Sequence, residues 1–496
     1  MNPFQTVLIA NRGEIAVRIL RTCRQLGKRV VVVFHEADRD SLAVRLADDA
    51  YRIDGTTPVA AYLSIDNMVE ACRATGADAV HPGFGFLSEN AEFARALEAA
   101  GIRFIGPGPH AIDAMGDKIR SKRIAQRAGV NTIPGYDGEI RDADHAFDVA
   151  SAIGFPVILK ASAGGGGKGM RVLHEADPDA CHAAFERTTS EAQTAFGDAR
   201  VFIEKYIERP RHIEIQVLGD QHGNLVHLGE RECSIQRRHQ KVIEEAPSSF
   251  VHASLRAEMG AQAVALATAV GYVSAGTVEF VVDATGAFYF LEMNTRIQVE
   301  HPVTEMITGL DIVAEQIRIA EGERMSLAQD DVRLVGHAIE CRLCAEDAER
   351  DFMPATGTLQ MFRPPEMEGF RLDAGVREGD VVTSAFDPML AKLIVFGATR
   401  SDAIARMRAV LERMVVLGVT TNAAYLERVL AHPEFVSGNT YTSFLEEHKA
   451  TLQVPEPTPA QAEVVLAAAL LSNRTLADPR FAPPAIHSTM RHWRNG

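Results

Sequence analysis

The sequence predicts a multidomain protein of mixed α/β and α+β class, on three observations. Its 496 residues exceed one ordinary core and suggest about three domains. The opening stretch alternates short apolar runs with helical periodicity, as a parallel sheet with crossover helices requires. The middle mixes helices with runs that read as antiparallel strands, and a further strand-and-helix region follows.

In the first region, residues 1–110, the apolar run Val7–Ala10 is expected to be a strand. Arg12–Leu26 then places Ile15, Ile19, Leu20 and Cys23 at helical spacing. Arg29–His35, Ala77–His81 and Arg103–Ile105 read as further strands, with helices over 65–74 and 91–100. In the second region, 115–330, strands are expected at 156–160, 170–173, 201–206, 212–218 and 225–229. The third, 334–447, opens with a strand at 336–343 and ends with helices at 400–415 and 422–430. Residues 448–496 hold a stiff linker, Pro455–Pro459, one helix over 460–471 and a tail with the only tryptophan, Trp493.

Bulk chemistry narrows the partners. The formal net charge is −15, which argues against a nucleic-acid or anionic-membrane surface. The start meets Arg12 and Glu14 at once and does not read as a signal peptide. No apolar stretch reaches the ~20 residues of a membrane span. The expected location is the cytoplasm. Six scattered cysteines argue against a disulfide framework, and the Cys341–Cys344 pair reads as plain strand packing rather than a metal or redox motif.

Five patterns carry chemistry. Residues 160–170 form Lys-Ala-Ser-Ala-Gly-Gly-Gly-Gly-Lys-Gly-Met. The loop lacks both the strand-to-helix context of a dinucleotide motif and the Walker A spacing. What remains is a glycine loop between two strands, able to fold its N–H groups over phosphates, or a flexible connector. Only nine of the 51 Lys and Arg positions are lysine, and five of these, at 118, 160, 168, 205 and 241, fall in the motifs discussed. A compact ammonium suits phosphate, although the clustering has chance as its alternative. Residues 277–292 read as a hairpin. With a two-residue Thr285-Gly286 loop, Glu279 faces Glu292, a repulsion that Mg²⁺ or Mn²⁺ would reverse; the alternative is two solvated edge carboxylates.

If that strand continues extended, Glu292, Asn294, Arg296, Gln298 and Glu300 share one face. Arg296 and Gln298 could then grip a planar anion beside the metal, with Glu300 as base; a half-exposed amphipathic strand is the plainer account. The run from Glu230 to Pro247 is rich in charge, and such runs usually form solvated surface. If it is extended, Arg237, His239 and Lys241 share a face and build an anion pocket. Arg342 stands alone on its strand, where an ion pair with Glu340 is the bland expectation.

Together, Asn11–Ala16, His81–Asn90, Met115–Lys118, the glycine loop, Arg237–Lys241 and Glu292–Pro302 resemble the biotin carboxylase family of ATP-grasp enzymes, over roughly residues 4 to 447. The resemblance implies an ATP-grasp domain between an N-terminal α/β domain and a C-terminal biotin carboxylase domain, with a closing lid at about 135–203. It implies ATP contacts from Lys118, Lys160, Gly166, Gly167, Met170, Glu204, Lys205, Ile207, His212, Gln236 and His239. Glu279, Glu292 and Asn294 would organise two Mg²⁺ or Mn²⁺ ions. Lys241, Arg296, Gln298 and Val299 would hold bicarbonate, Glu300 would be its base, and Arg342 would stabilise the biotin enolate. In the family scheme bicarbonate attacks the γ-phosphate to give carboxyphosphate, which breaks down to CO₂ and phosphate.

Phe84 stands where many relatives carry tyrosine near biotin. No biotin-acceptor Met-Lys-Met is present, so biotin would ride on a separate carrier protein. The resemblance also implies a carboxyltransferase partner and a homodimer through the third domain, with Phe370 and Arg371 as candidates. Acetyl-CoA, another acyl-CoA, pyruvate and 2-oxoglutarate remain open as final acceptors. The rival readings are another ATP-grasp ligase, joining a carboxylate to an amine, and an inactive nucleotide-binding scaffold.

Overall fold

The computed structural model describes residues 3–136, 138–162, 170–454 and 458–472. The chain divides into two compact units, Met1–Leu452 and Gln453–Gly496. In the second, the helix Pro459–Ser472 is described, a residue longer at each end than expected.

The first region is the parallel sheet that its periodicity predicts. Strands β1 (Thr6–Ile9), β2 (Arg29–Phe34), β3 (Asp49–Arg52), β4 (Ala79–His81) and β5 (Arg103–Phe104) lie in the order β3-β2-β1-β4-β5, all parallel. Helices cover both faces, so β1 and β2 are apolar almost throughout. Helix α1 (Gly13–Gln25) buries Ile15, Ile19, Leu20 and Cys23. The helix Ile65–Thr75 is closed by a Ser64 N-cap and by Gly76 at φ +69°, where a left-handed residue ends the helix. The strand β3 was not foreseen: its sequence, Asp-Ala-Tyr-Arg, lies at the sheet edge and carries no apolar signature.

A small three-stranded sheet follows, β6 (Val157–Ala161), β7 (Met170–Leu173) and β8 (Val201–Lys205), in the order β7-β6-β8. The strands β6 and β7 pair antiparallel with Lys160 opposite Met170. The glycine loop between them, with Gly166 and Gly167, lies outside the described residues.

The main platform is an eight-stranded antiparallel sheet. Its strands are β9 (Arg211–Gly219), β10 (Leu225–Arg237), β11 (Gln240–Ala246), β12 (Ser274–Val282), β13 (Phe288–Asn294) and β14 (His337–Cys344), followed by Met389–Gly397 and Phe370–Ala374. The order is β13-β12-β9-β10-β11-β14, then Met389–Gly397 and Phe370–Ala374. The strand β14, read in the sequence as opening a third region, pairs with β11, so one sheet runs through the second and third regions. Cys341 and Cys344 lie on β14 as free thiols, as strand packing predicts. Among the described residues no helix is long and apolar enough to cross a membrane.

The largest departure is β10. It was expected to stop at Gly229 and instead runs to Arg237. The charge run beyond Gly229 is not solvated surface: Glu230, Arg231, Glu232, Cys233 and Ser234 are all buried. The charges are compensated mainly by side chains from other segments, with Ser234 adding a local donor to Glu232. Arg256 pairs with Glu230, Ser248 donates 2.6 Å to Glu232, and Arg231 pairs with Glu214. The Arg231 guanidinium also donates to Gln216 at 2.7 Å, Thr304 at 2.9 Å and Thr277 at 3.0 Å.

Removing one partner of a buried pair leaves the other uncompensated, at about 3–5 kcal/mol. Arg231→Met is therefore expected to lower the free energy of denaturant unfolding by about that amount. A loss below about 1 kcal/mol would show that solvent reaches Glu214 once the guanidinium is gone.

Candidate active site

The hairpin β12–β13 brings Glu279 opposite Glu292, as the sequence predicts, but by a different route. The loop is not Thr285-Gly286 alone. Asp283 and Ala287 pair across a three-residue loop in which Gly286 takes φ +89°. Asp283 Oδ1 accepts the amides of Thr285 at 2.8 Å and Ala287 at 3.0 Å. That loop sets Phe280 against Phe290, one residue out of the expected register. A bulge at Leu291, between the Glu279 and Phe280 pairings, then restores Glu279 to Glu292.

The extended file over 292–300 is corrected as well. The strand β13 stops at Asn294, and Glu300 is the residue before the helix His301–Thr308. The predicted side chains still converge, because the chain turns back on itself. Arg296 donates 2.8 Å to Gln298 Oε1 and 3.1 Å to Asn294 Oδ1. Asn294 and Gln298 donate to Glu279 Oε1 at 2.8 Å and 3.1 Å. Arg296 Nε also meets Glu89, whose other oxygen accepts the Thr295 amide, both at 2.9 Å.

Nor do Arg237, His239 and Lys241 share one face. Arg238 and His239 take positive φ, 49° and 64°, as the two turn residues of a hairpin, and the chain reverses there. Arg237 pairs with Glu346 at 3.0 Å, and His239 is exposed on the turn. Lys241 alone enters the cluster. Its Nζ lies 2.5 Å from Glu214, 2.9 Å from Glu279 and 2.6 Å from Glu300. Arg342 does not pair with Glu340. It binds Glu244 at 2.6 Å and Glu300 at 2.9 Å, while the buried Glu340 carboxylate has no hydrogen-bond partner among the described residues.

These charges set one another's protonation. Burial opposes the Lys241 ammonium, but Glu214, Glu279 and Glu300 outweigh it and hold its pKa well above the usual range. Burial likewise opposes the Glu300 carboxylate, yet Lys241, Arg342 and Arg231 hold it well below the usual value. Glu279 is lowered by Lys241 and His212 against burial. Glu292 is raised, by burial first and by Glu279 second.

A second group of predicted residues lines an adjoining cavity. Lys118, Lys160 and Glu204 border it with Lys122, Tyr136 and Phe202. Glu204 accepts from Lys122 at 2.8 Å and Lys160 at 3.0 Å. His212 sits 2.9 Å from Glu279 and 2.9 Å from the Gln236 amide. Lys205 does not join this group: its Nζ donates to the Gly154 and Phe155 carbonyls at 2.9 and 2.8 Å. Met170 and Ile207 are half-buried, and the Val299 carbonyl accepts from Lys392 at 2.7 Å.

Sequence reasoning missed Lys122, Glu214, Arg231, Glu244 and Glu89. For Glu214 a signal existed: His212, Glu214 and Gln216 alternate as polar residues on an apolar strand. Lys122 belongs to the sparse lysine set. Nothing local marks Arg231 or Glu244 inside a charge run.

Burial pushes the Glu244 carboxyl up from 4.5 to about 7, against Arg342 and with the help of Glu300. A carboxyl raised on folding holds a proton that the unfolded chain has released. Its contribution is present in full below about pH 4.5 and is lost as pH rises through about 7. The melting temperature of the wild type relative to Glu244→Gln is therefore expected to fall by a few degrees from about pH 5 to about pH 8. A difference that does not change with pH would mean that Arg342 keeps Glu244 ionised throughout.

Three family models match in chain order: biotin carboxylase, N-terminal domain, over 3–112; carbamoyl-phosphate synthase L chain, ATP binding domain, over 117–328; and biotin carboxylase C-terminal domain over 340–447. The propionyl-CoA carboxylase alpha chain of Ruegeria pomeroyi is 53% identical over 464 residues, 90% of this chain and 68% of the relative. The chain spans 60% to 68% of the length of the propionyl-CoA carboxylase alpha chains reported as similar to it. The biotin carboxylase of a Nostoc species is 49% identical over 444 residues, 90% of this chain and 99% of the relative. Among solved structures, the biotin carboxylase domain dimer of Hydrogenobacter thermophilus 2-oxoglutarate carboxylase, in complex with MgADP, ADP and bicarbonate, superposes with a TM-score of 0.88. It is 46% identical, over 92% of this chain and all of that one. With the domain order, the convergent site and these relatives in agreement, this chain belongs to the biotin carboxylase family of ATP-dependent ligases.

Proposed function

We propose that the chain carboxylates biotin carried by a separate protein, using ATP and bicarbonate, as the first half-reaction of an acyl-CoA carboxylase. The observation that carries this is the Lys241 ammonium shared by Glu214, Glu279 and Glu300 beside the Arg296–Gln298 pair. An anion-gripping fork next to a carboxylate held ionised is what activation of bicarbonate needs. The propionyl-CoA carboxylase relatives favour an acyl-CoA as final acceptor. The 2-oxoglutarate carboxylase structure keeps a 2-oxoacid as the second reading.

The donor set fits a divalent metal. No hydrogen bond from the described residues reaches the Glu292 carboxylate, and burial and Glu279 both disfavour its charge. Glu279, Glu292 and Asn294 offer oxygen ligands, the kind that suits Mg²⁺ or Mn²⁺. Such ions, when bound, supply charge neutralisation of nucleotide phosphates.

The remaining roles fall to the chain. Arg296, Gln298 and the Val299 main chain hold bicarbonate, with Lys241 adding positive charge. Glu300, kept ionised by Lys241 and Arg342, takes the bicarbonate proton. Arg342 would stabilise the enolate of the carrier's biotin, and Phe84, expected near that biotin, would offer it a ring without a hydroxyl. Lys118, Lys160, His212, Gln236 and His239 surround the nucleotide, with Glu204, Met170, Ile207 and Lys205. Lys205 would act through its main chain, because its ammonium is engaged elsewhere. The span 135–203, with Gly166 and Gly167, closes as a lid and excludes water. A homodimer, a carboxyltransferase partner and a reducing compartment, the cytoplasm, complete the proposal. The six free thiols agree with the compartment.

Phosphate release should require bicarbonate and rise with free biotin when ATP and Mg²⁺ are supplied. Arg296→Ala and Glu292→Ala are each expected to lower it about 100-fold or more. Wild-type release indifferent to both bicarbonate and biotin would overturn the assignment. Release that depends on an added amine would favour a carboxylate–amine ligase.

A further inference from the structure

Lys392 lies on the strand Met389–Gly397, paired in register with Arg342 on one side and Asp373 on the other. Its side chain has 0% exposure, and none of the roles assigned above uses it. The Nζ donates 2.7 Å to the Val299 carbonyl and lies 3.3 Å from Oε1 of Glu14, on α1 of the first sheet. Burying an ammonium costs several kcal/mol unless it is paired. The ammonium has one hydrogen-bond acceptor, the Val299 carbonyl, and one ion-pair neighbour, the Glu14 carboxyl, from separate elements. That geometry suits a compact ammonium with three donors better than a planar fork.

The Val299 carbonyl sits in the turn that links Gln298 to Glu300. Next to it, the Gln298 carbonyl accepts from His301 Nδ1 at 2.7 Å, and the helix His301–Thr308 begins. The side chains flanking Val299 are two that face the anion site. Gln298 donates to Glu279, while Glu300 meets Lys241 at 2.6 Å and Arg342 at 2.9 Å. With its carbonyl held by a buried donor, the peptide between Val299 and Glu300 is restrained. The approach of Glu300 to Lys241 then follows from the strand that carries Lys392. Glu14, on the first sheet's helix, also faces the ammonium; burial pushes its carboxyl up to about 7, against the pull of Lys392.

We propose, resting on the bicarbonate assignment above, that Lys392 is a positioning residue. It sets the 298–300 turn from below and, through Glu14, ties the anion site to the N-terminal sheet. It touches no substrate and acts only through the Val299 peptide.

Lys392→Met keeps the length of the stem and removes the charge and the donors. Misplacing a catalytic group by a fraction of an ångström to 1 Å costs up to about 100-fold in rate. The variant is expected to raise the KM for bicarbonate about tenfold or more and to lower kcat. The KM for ATP should stay within about twofold, because the nucleotide residues lie on other elements. A folded variant with an unchanged bicarbonate KM, or one whose ATP and bicarbonate KM values rise together, would overturn the proposal.

If Lys392→Met does not fold, Glu14→Gln decides. It leaves the ammonium on Val299 but removes the ionisable group that faces it. A rise of about threefold in the bicarbonate KM, with ATP unaffected, is then expected; no change would overturn the proposal. Wild type measured in parallel separates the two levels. If its phosphate release ignores bicarbonate, the parent assignment fails; if it depends on bicarbonate and neither variant shifts, only the role of Lys392 fails.

Discussion

A single buried ammonium, that of Lys241, shared by three carboxylates, is the constraint around which the rest of the site is arranged. Glu214, Glu279 and Glu300 come from three separate segments, and each is buried. Each would be costly alone, and together they would repel one another. Lys241 removes that repulsion only from the place where all three can reach it. Arg231 then completes Glu214, His212 completes Glu279, and Arg342 completes Glu300. The outcome is an alternating lattice of charge in which Glu300 stays ionised and Lys241 stays protonated. Both states are useful for gripping and deprotonating a small oxyanion.

Backbone devices deliver those side chains. A two-residue turn with positive φ at Arg238 and His239 swings Lys241 inward and sends Arg237 to Glu346. A bulge at Leu291 cancels the offset left by a three-residue hairpin loop and keeps Glu292 across from Glu279. The end of β13 at Asn294 lets Arg296 fold back onto Gln298. Each device departs from regular structure by a residue or two, at the edge of the site, where bulges and strained turns collect.

The eight-stranded sheet is the common floor. Because β14 adds to β11, Arg342 reaches Glu300 and Glu244 from the same sheet that carries Lys241. The strand Met389–Gly397, one further across, brings Lys392 beneath the turn before the helix His301–Thr308. Residues distant in sequence thus meet on one sheet, and Arg296, Gln298 and Glu300 reach it from the turn between β13 and the helix His301–Thr308.

The sequence by itself determined the class of the first region, because alternating apolar runs and helical periodicity are local signals that a parallel sheet preserves. It also singled out the chemistry-bearing motifs and the pairing of Glu279 with Glu292, since residue type and approximate register are local too. Tertiary structure alone decided that the charge run in β10 lies inside the protein, because its compensating partners, Glu214, Arg256 and Ser248, sit on other segments, 16 to 26 residues away. It decided that Arg342 serves Glu300 rather than Glu340, and that Lys205 turns away from the cavity while Lys122 turns toward it. Those outcomes depend on which charges meet across strands. Coulomb compensation in a buried sheet is a property of neighbours in space, and no window along the chain contains it.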